Sequence, residues 1–391
     1  MFARRTDWKL AQNRYSAALN EAKSSGKKLL DLTASNPTQC NFDFDPQPIL
    51  ASLAAPESLV YDPQPQGLLS ARMAVTNYYN KSKLRAAACK IAPEQIFLTT
   101  STSEAYSFLF RLLCDPGDEV LVPQPSYPLF DLLADIQDVK LGPYNLFYDH
   151  GWHIDFGGML KALNERTRAV LVVNPNNPTG SFVHREELRQ LASVCRYNGL
   201  ALISDEVFLD YDLESCAEMS VAFSQDCLSF ALSGLSKIAC LPQMKLAWMI
   251  INGPDELRRA AHDRLEIIAD TYLSVNAPIQ HALPEILAHR NQIQTQLITR
   301  AHSNLRFLDE RLEGARAVQR LRVEGGWYAV LRVPANKSDE DLAIDLIERA
   351  SVVVHPGHFY DFPQDGYLVV SLITPEAEFQ NGIASILNIV S

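Results

Sequence analysis

The sequence predicts an α/β protein: a doubly wound, mostly parallel sheet accompanied by a smaller α+β domain. Three observations lead to this. From about residue 95, short apolar runs alternate with helix-like stretches, the pattern of βα units. The runs are apolar almost without interruption, as strands covered on both faces must be. The chain has 391 residues, more than one core usually organises, so a large domain and a smaller one are expected.

The first 45 or so residues are too few for a domain and are expected to pack onto the C-terminal lobe. The large domain is expected over residues 46–280, and the small one over 1–45 together with 281–391. Six buried strands are expected: QIFLTT (95–100), DEVLVP (118–123), RAVLVVN (168–174), LALISD (200–205), CLSFALS (227–233) and LAWMIIN (246–252). Helices fit at 103–113 and 185–196, and a long helical pattern occupies 278–312. The final stretch mixes strands (RLRVEG, WYAVLRV, SVVVHP, YLVVSLI) with a helix at 339–350.

Composition narrows the function. Hydrophobic residues make up 47% and charged residues 21%, an ordinary globular balance. A formal charge of −11 disfavours a nucleic-acid or anionic-membrane surface, which needs clustered Lys and Arg, and points to a small-molecule partner. The seven cysteines are odd in number and contain no C-x-x-C pair, which reads as free thiols in a reducing compartment. With no apolar leader and no membrane-length run, a cytoplasmic location is expected.

Ligands of open parallel sheets sit beyond the carboxyl ends of the strands, so the polar residues there are the chemical candidates. Asp205 closes LALISD, Asn177 follows RAVLVVN, Lys237 follows CLSFALS, and Thr99–Ser103 follow QIFL and open a helix. An acid, an amide, an amine and a hydroxyl cluster thus converge on one edge. A helix start rich in hydroxyls and free amides suits a phosphate, although ordinary capping would use the same residues.

At this point the chain resembles the fold-type I pyridoxal-phosphate (PLP) enzymes of aminotransferase class I and II, over nearly its whole length. The matching motifs are YDPQPQGLLSAR (61–72), TTSTSEA (99–105), PQPSYP (123–128), NPNNPTG (174–180), SDEVF (204–208), SGLSK (233–237) and PGHFY (356–360). The resemblance implies a PLP cofactor held as a Schiff base by Lys237, whose amine also shuttles the substrate proton. It implies that Asp205 pairs with the pyridine nitrogen, Tyr127 stacks on the ring, and Asn177 donates to the ring 3-hydroxyl oxygen. Ser101, Thr102, Ser103 and Ser236 would surround the phosphate, with Tyr61 reaching it from the partner of a homodimer. The substrates would be an amino donor and a 2-oxo acid. Asn36 and Trp327 are candidates for the substrate pocket, and no metal site is expected; Asp149, His150 and His153 in DHGWH lack further ligands.

Three departures from the family pattern stand out. Lys245 occupies the place of a phosphate-binding arginine, keeping the charge without the planar fork. Phe208 replaces a tyrosine that donates to the ring oxygen, so the pKa of the Lys237 Schiff base should lie above that of tyrosine-containing relatives. Val369, in GYLVVSL, occupies the place of the arginine that grips a substrate carboxylate. Another cation performs that task, or the donor lacks a conventional α-carboxylate, or the register of the match shifts here; Arg322 and Arg332 lie on strands of the same lobe. A PLP lyase or decarboxylase is the alternative within the fold. A PLP-binding regulator would need a DNA-binding module for which the chain has no room.

Overall fold

The computed structural model describes residues 1–8, 11–82, 89–128 and 130–390. Among these residues it contains fourteen strands. They are β1 (Leu30–Asp31), β2 (Ile96–Thr99), β3 (Glu119–Gln124), β4 (Lys140–Tyr148), β5 (Trp152–Ile154), β6 (Thr167–Val173), β7 (Ala201–Asp205), β8 (Ser229–Gly234), β9 (Ala247–Asn252), β10 (Gln319–Arg320), β11 (Tyr328–Arg332), β12 (Val352–Val353), β13 (His355–Pro356) and β14 (Tyr367–Ser371). Eight of them form the main sheet in the order β2-β9-β8-β7-β6-β3-β4-β5.

The six expected strands are all present, and the sheet is parallel from β8 through β7, β6 and β3 to β4. Strand β9 runs antiparallel to both β8 and β2, so two reversals leave β2 pointing the same way as β8. The two faces separate cleanly. Phe97, Val120, Leu171, Ile203 and Met249 bury into one core, and Leu98, Leu121, Val170, Leu202 and Ile250 into cores on the opposite side. Burial on both faces is what made these runs continuously apolar.

The smaller sheet is antiparallel in the order β10-β11-β14-β13. The RLRVEG run is strand only at its start, because Glu324 and Gly325 turn aside and donate their amides to the Gly180 carbonyl (3.2 and 2.8 Å). SVVVHP divides into β12 and β13, which pair with different partners. The N-terminal segment completes this lobe. Strand β1 pairs with β12, Tyr15 and Leu32 lie in its core, and the Tyr15 hydroxyl donates to the Val354 carbonyl (2.8 Å). The helix Ala277–Leu312 spans 36 residues. Its early apolar residues (Ile279, Leu283) enter a main-sheet core, while Ala301 and Leu308 enter the core of the smaller lobe.

Gly180 holds the lobes together where no side chain fits. Its φ is +71°, and a Cβ there would lie 2.6 Å from the Gly325 carbonyl oxygen and 2.8 Å from Val323 Cγ1. Gly180→Ala combines left-handed strain with a main-chain clash. We expect it to destabilise the fold by about 1–3 kcal/mol. An unchanged denaturant midpoint would show that the contact is less rigid than drawn.

Candidate active site

The carboxyl ends of β2, β3, β6, β7 and β8 open on one edge of the main sheet, and the predicted site residues follow these ends. Asp205 is the last residue of β7 and is buried. Its two oxygens are held by the Tyr106 hydroxyl (2.9 Å) and the Val207 amide (3.1 Å). Burial raises its pKa to about 6, against those hydrogen bonds and the attraction of Lys237. Glu206, next along, is also buried and pushed up to about 7 by desolvation. It accepts from Ser220 Oγ (2.5 Å), the Val221 amide (2.8 Å) and Ser204 Oγ (3.1 Å).

Lys237 lies in the short helix Leu235–Ile238 that follows β8 directly. Burial lowers its amine to about 8, with Cys240 and Asp205 opposing the fall. Its Nζ sits 4.7 Å from the ring centre of Trp327 and 5.3 Å from that of Phe208. The Tyr211 hydroxyl donates to the Lys237 carbonyl (2.6 Å), and the Tyr211 ring meets Trp327 edge-on at 5.1 Å. The turn that carries the amine is therefore fixed at its backbone while its tip is walled by aromatic faces.

Tyr127 follows β3. The residue is 37% exposed, yet desolvation of its phenol together with nearby Asp205 raises the pKa to about 12. Asn177 is buried, and its Oδ1 has no hydrogen-bond partner among the described residues. Ser101 caps the helix Thr102–Leu113, accepting from the Glu104 amide (3.1 Å), so part of its hydroxyl capacity is used for folding. The amides of Thr102 and Ser103 lie in the first helical turn, where no intrahelical acceptor exists.

The remaining candidates are placed differently. Ser236 adjoins Lys237 and is half-buried. Lys245 is exposed with a left-handed φ of 51°. The Asn36 side chain accepts from the Thr38 amide (3.1 Å) and hydroxyl (2.7 Å), a local cap, and nearby Ala34 accepts from Ser371 Oγ (2.6 Å). Tyr61 is 82% exposed and borders a cavity of about 490 Å³ with Leu68, Phe108, Leu273 and Gln280, away from Lys237. Trp327 is 1% exposed, and its Nε1 is unpartnered among the described residues. Val369 is buried, opposite Val330 of β11 and His355 of β13.

Sequence reasoning missed Tyr106, Tyr211 and Glu206. Tyr106 sits one turn into the helix begun by the hydroxyl cluster, so its reach toward the sheet edge had a weak signal. The other two contacts depend on tertiary placement.

These residues fit a PLP molecule. A buried acid can meet a ring nitrogen, a desolvated lysine can meet a carbonyl carbon, an unsatisfied amide lies nearby, and a helix start with free amides can take a phosphate. Fold and site together define a fold-type I PLP-dependent enzyme. The chain belongs to the aminotransferase class I and II family, whose sequence model matches residues 7–386, and it is a PLP-dependent transaminase. It is 26% identical to the glutamate-pyruvate aminotransferase AlaA of Haemophilus influenzae, over 89% of this chain and 87% of that protein. It is 28% identical to the alanine aminotransferase of Mycobacterium bovis, over 88% and 81%. Among solved structures, the alanine aminotransferase of Pyrococcus furiosus superposes with a TM-score of 0.89 at 22% identity, over 100% of this chain and 99% of that one, a likeness of fold.

Proposed function

We propose that this aminotransferase works through Lys237 and Asp205, moving an amino group between an amino donor and a 2-oxo acid. The observation that carries the assignment is the placement of buried Asp205 at the end of β7 and of Lys237 on the turn after β8, on the edge where five strands end, with the Lys237 amine set between the Trp327 and Phe208 rings. When bound, PLP supplies an electrophilic carbonyl and a ring that withdraws electrons from the reacting carbon.

The chain's own residues do the rest. Lys237 Nζ, lowered toward neutrality by burial, takes the proton from the donor's reacting carbon and returns it elsewhere. Asp205 keeps a proton on the ring nitrogen. Tyr127 orients the ring by stacking, with Phe208 alongside, and Asn177 donates to the ring oxygen. Ser101, Thr102, Ser103, Ser236 and Lys245 hold the phosphate. Asn36 and Trp327 border the substrate.

The finer organisation follows the same reasoning. Residues 46–280 form the cofactor-binding unit, and 1–45 with 281–391 form the smaller one; the cores on the main sheet and the core around Leu331 and Leu368 support two units, while Leu283, Ile286 and Leu287 of the long helix pack with the first. The active form is a homodimer in which Tyr61 serves the second copy. Its exposure, and that of Leu59 and Val60 beside it, support such a role. Cytoplasmic location is favoured by seven free cysteines; no helix among the described residues is long and apolar enough to cross a membrane.

The test is the absorbance spectrum of PLP-loaded protein before and after amino donors. The visible band should convert to the near-ultraviolet band of the aminated cofactor, and a 2-oxo acid should reverse the change. Conversion without reversal would favour a lyase or decarboxylase instead. Phe208→Tyr restores a phenol near the ring oxygen, and the pH midpoint of the visible band should fall by stabilisation of the deprotonated form. An unmoved midpoint would remove Phe208 from that role.

A further inference from the structure

Asp205 is gripped by a residue that belongs to none of the expected cofactor contacts. The Tyr106 hydroxyl donates to Asp205 Oδ2 (2.9 Å), and among the described residues Tyr106 is the one side chain that hydrogen-bonds this carboxylate; Oδ1 takes the Val207 amide (3.1 Å). Each oxygen keeps acceptor capacity after these bonds, enough for one further N–H. Both residues are buried, and out of water a donor to an ionised acid counts for more than it does at the surface.

Tyr106 belongs to the helix Thr102–Leu113, whose first turn carries the amides of Thr102 and Ser103 that have no intrahelical acceptor. Residues three and four apart lie on one helix face, so Tyr106 follows Thr102 and Ser103 on their own face, about 4.5–6 Å farther along the axis at 1.5 Å per residue. One rigid element thus offers donors for a phosphate at its start and, a turn later, grips the acid at the end of β7. Phe130 meets both Tyr106 and Tyr127 edge-on, with ring centres 5.4 and 5.9 Å apart, so the phenol is also fixed relative to the residue assigned to stack on the cofactor. A buried tyrosine that only packs needs no more than a backbone acceptor, as Tyr144 shows with the Leu171 carbonyl (2.8 Å). Tyr106 is aimed instead at a carboxylate on the edge where the strands end.

We infer that Tyr106 is a positioning residue for the cofactor: its hydroxyl holds the ionised Asp205 carboxylate in place for the ring nitrogen, while the start of the same helix receives the phosphate. The inference rests on the assignment of Asp205 to the ring nitrogen and names the residue that sets that acid.

The test titrates full-length apoprotein, wild type and Tyr106→Phe, with PLP and with 1-deaza-pyridoxal phosphate, in which C–H replaces the ring nitrogen. Dissociation constants are read from tryptophan fluorescence. The analogue keeps the aldehyde, the phosphate and the ring face, so it senses every part of the site except the Asp205 contact. Tyr106→Phe should weaken PLP by about tenfold or more, the equivalent of losing a hydrogen bond to a charged group, and should change the analogue's affinity by less than about twofold. A loss shared by both ligands would make Tyr106 a filler of the core, and an unchanged PLP affinity would mean that Asp205 is held without it; either overturns the inference and leaves the Asp205 assignment standing. If wild type binds the two ligands equally tightly, the assignment of Asp205 to the ring nitrogen fails, and the inference with it. Tyr106→Met, which fills space without a hydroxyl, supplies the same comparison should the phenylalanine variant not fold.

Discussion

Lys237→Ala is expected to remove the PLP-dependent visible band outright and to slow the donor half-reaction by up to about 10⁴-fold, the upper range for loss of a positioned proton carrier. The rings of Phe208 and Trp327 flank Nζ, and neither titrates. Cys240 Sγ lies 3.5 Å from the Lys237 carbonyl, but burial raises its thiol to about 12, too high to carry protons near neutrality. Added methylamine should restore part of the rate, because the deletion leaves space for a small base. Retention of the visible band in the variant would mean that another amine holds the cofactor.

Asp205→Asn should have two separable effects. The first is on the apoprotein. Folding raises the Asp205 pKa from 3.8 to about 6, so the native state binds the extra proton between those values. A raised pKa contributes stability below the unfolded value, and that contribution is lost as pH rises through the folded one. The wild-type carboxylate therefore works against folding above about pH 6, on the order of 3 kcal/mol by the usual conversion, with the attraction of Lys237 already included. The stability of Asp205→Asn minus that of wild type should climb between pH 4 and 6. Chemical denaturation across that range checks it, and a flat difference would contradict the burial argument. The second effect is on the cofactor. Removing one partner of a buried charge pair costs about 3–5 kcal/mol, so PLP affinity should fall by at least about 10²-fold. Tighter PLP binding by the variant would contradict the assignment of Asp205 to the ring nitrogen.

Much of the fold was readable because strands buried on both faces leave no polar alternation to confuse them with helices. Strand β4 was missed for the opposite reason: toward the sheet edge its residues alternate between buried and exposed, and Gly142 and Pro143 interrupt it. The direction of β9 was also hidden, since an apolar run carries no sign of which way it points. For the site, what was legible was position: Asp205 ends β7, and Tyr127, Asn177 and Lys237 come three or four residues after β3, β6 and β8, so the four were expected on one sheet edge, where they lie. Asn36 and Ser101 show where residue type alone is ambiguous, as both use oxygens to cap local helices. Trp152 lay in DHGWH, a segment that drew attention for its histidines; the structure instead puts the tryptophan into a buried cluster between the lobes.

The pairing of β1 with β12 joins Leu30 to Val352. During synthesis the first strand leaves the ribosome about 320 residues before its neighbour exists, an interval of tens of seconds at ordinary elongation rates of roughly 5–20 residues per second. Over that time Tyr15 and Leu32, which end in the core of the smaller lobe, have nothing to bury against. The main sheet can form meanwhile, because its strands all lie between Ile96 and Asn252. The newborn chain thus passes through a stage with a finished central sheet and an unpaired N-terminal segment whose few core residues, Tyr15 and Leu32, stand exposed, and a holding chaperone would find its foothold there.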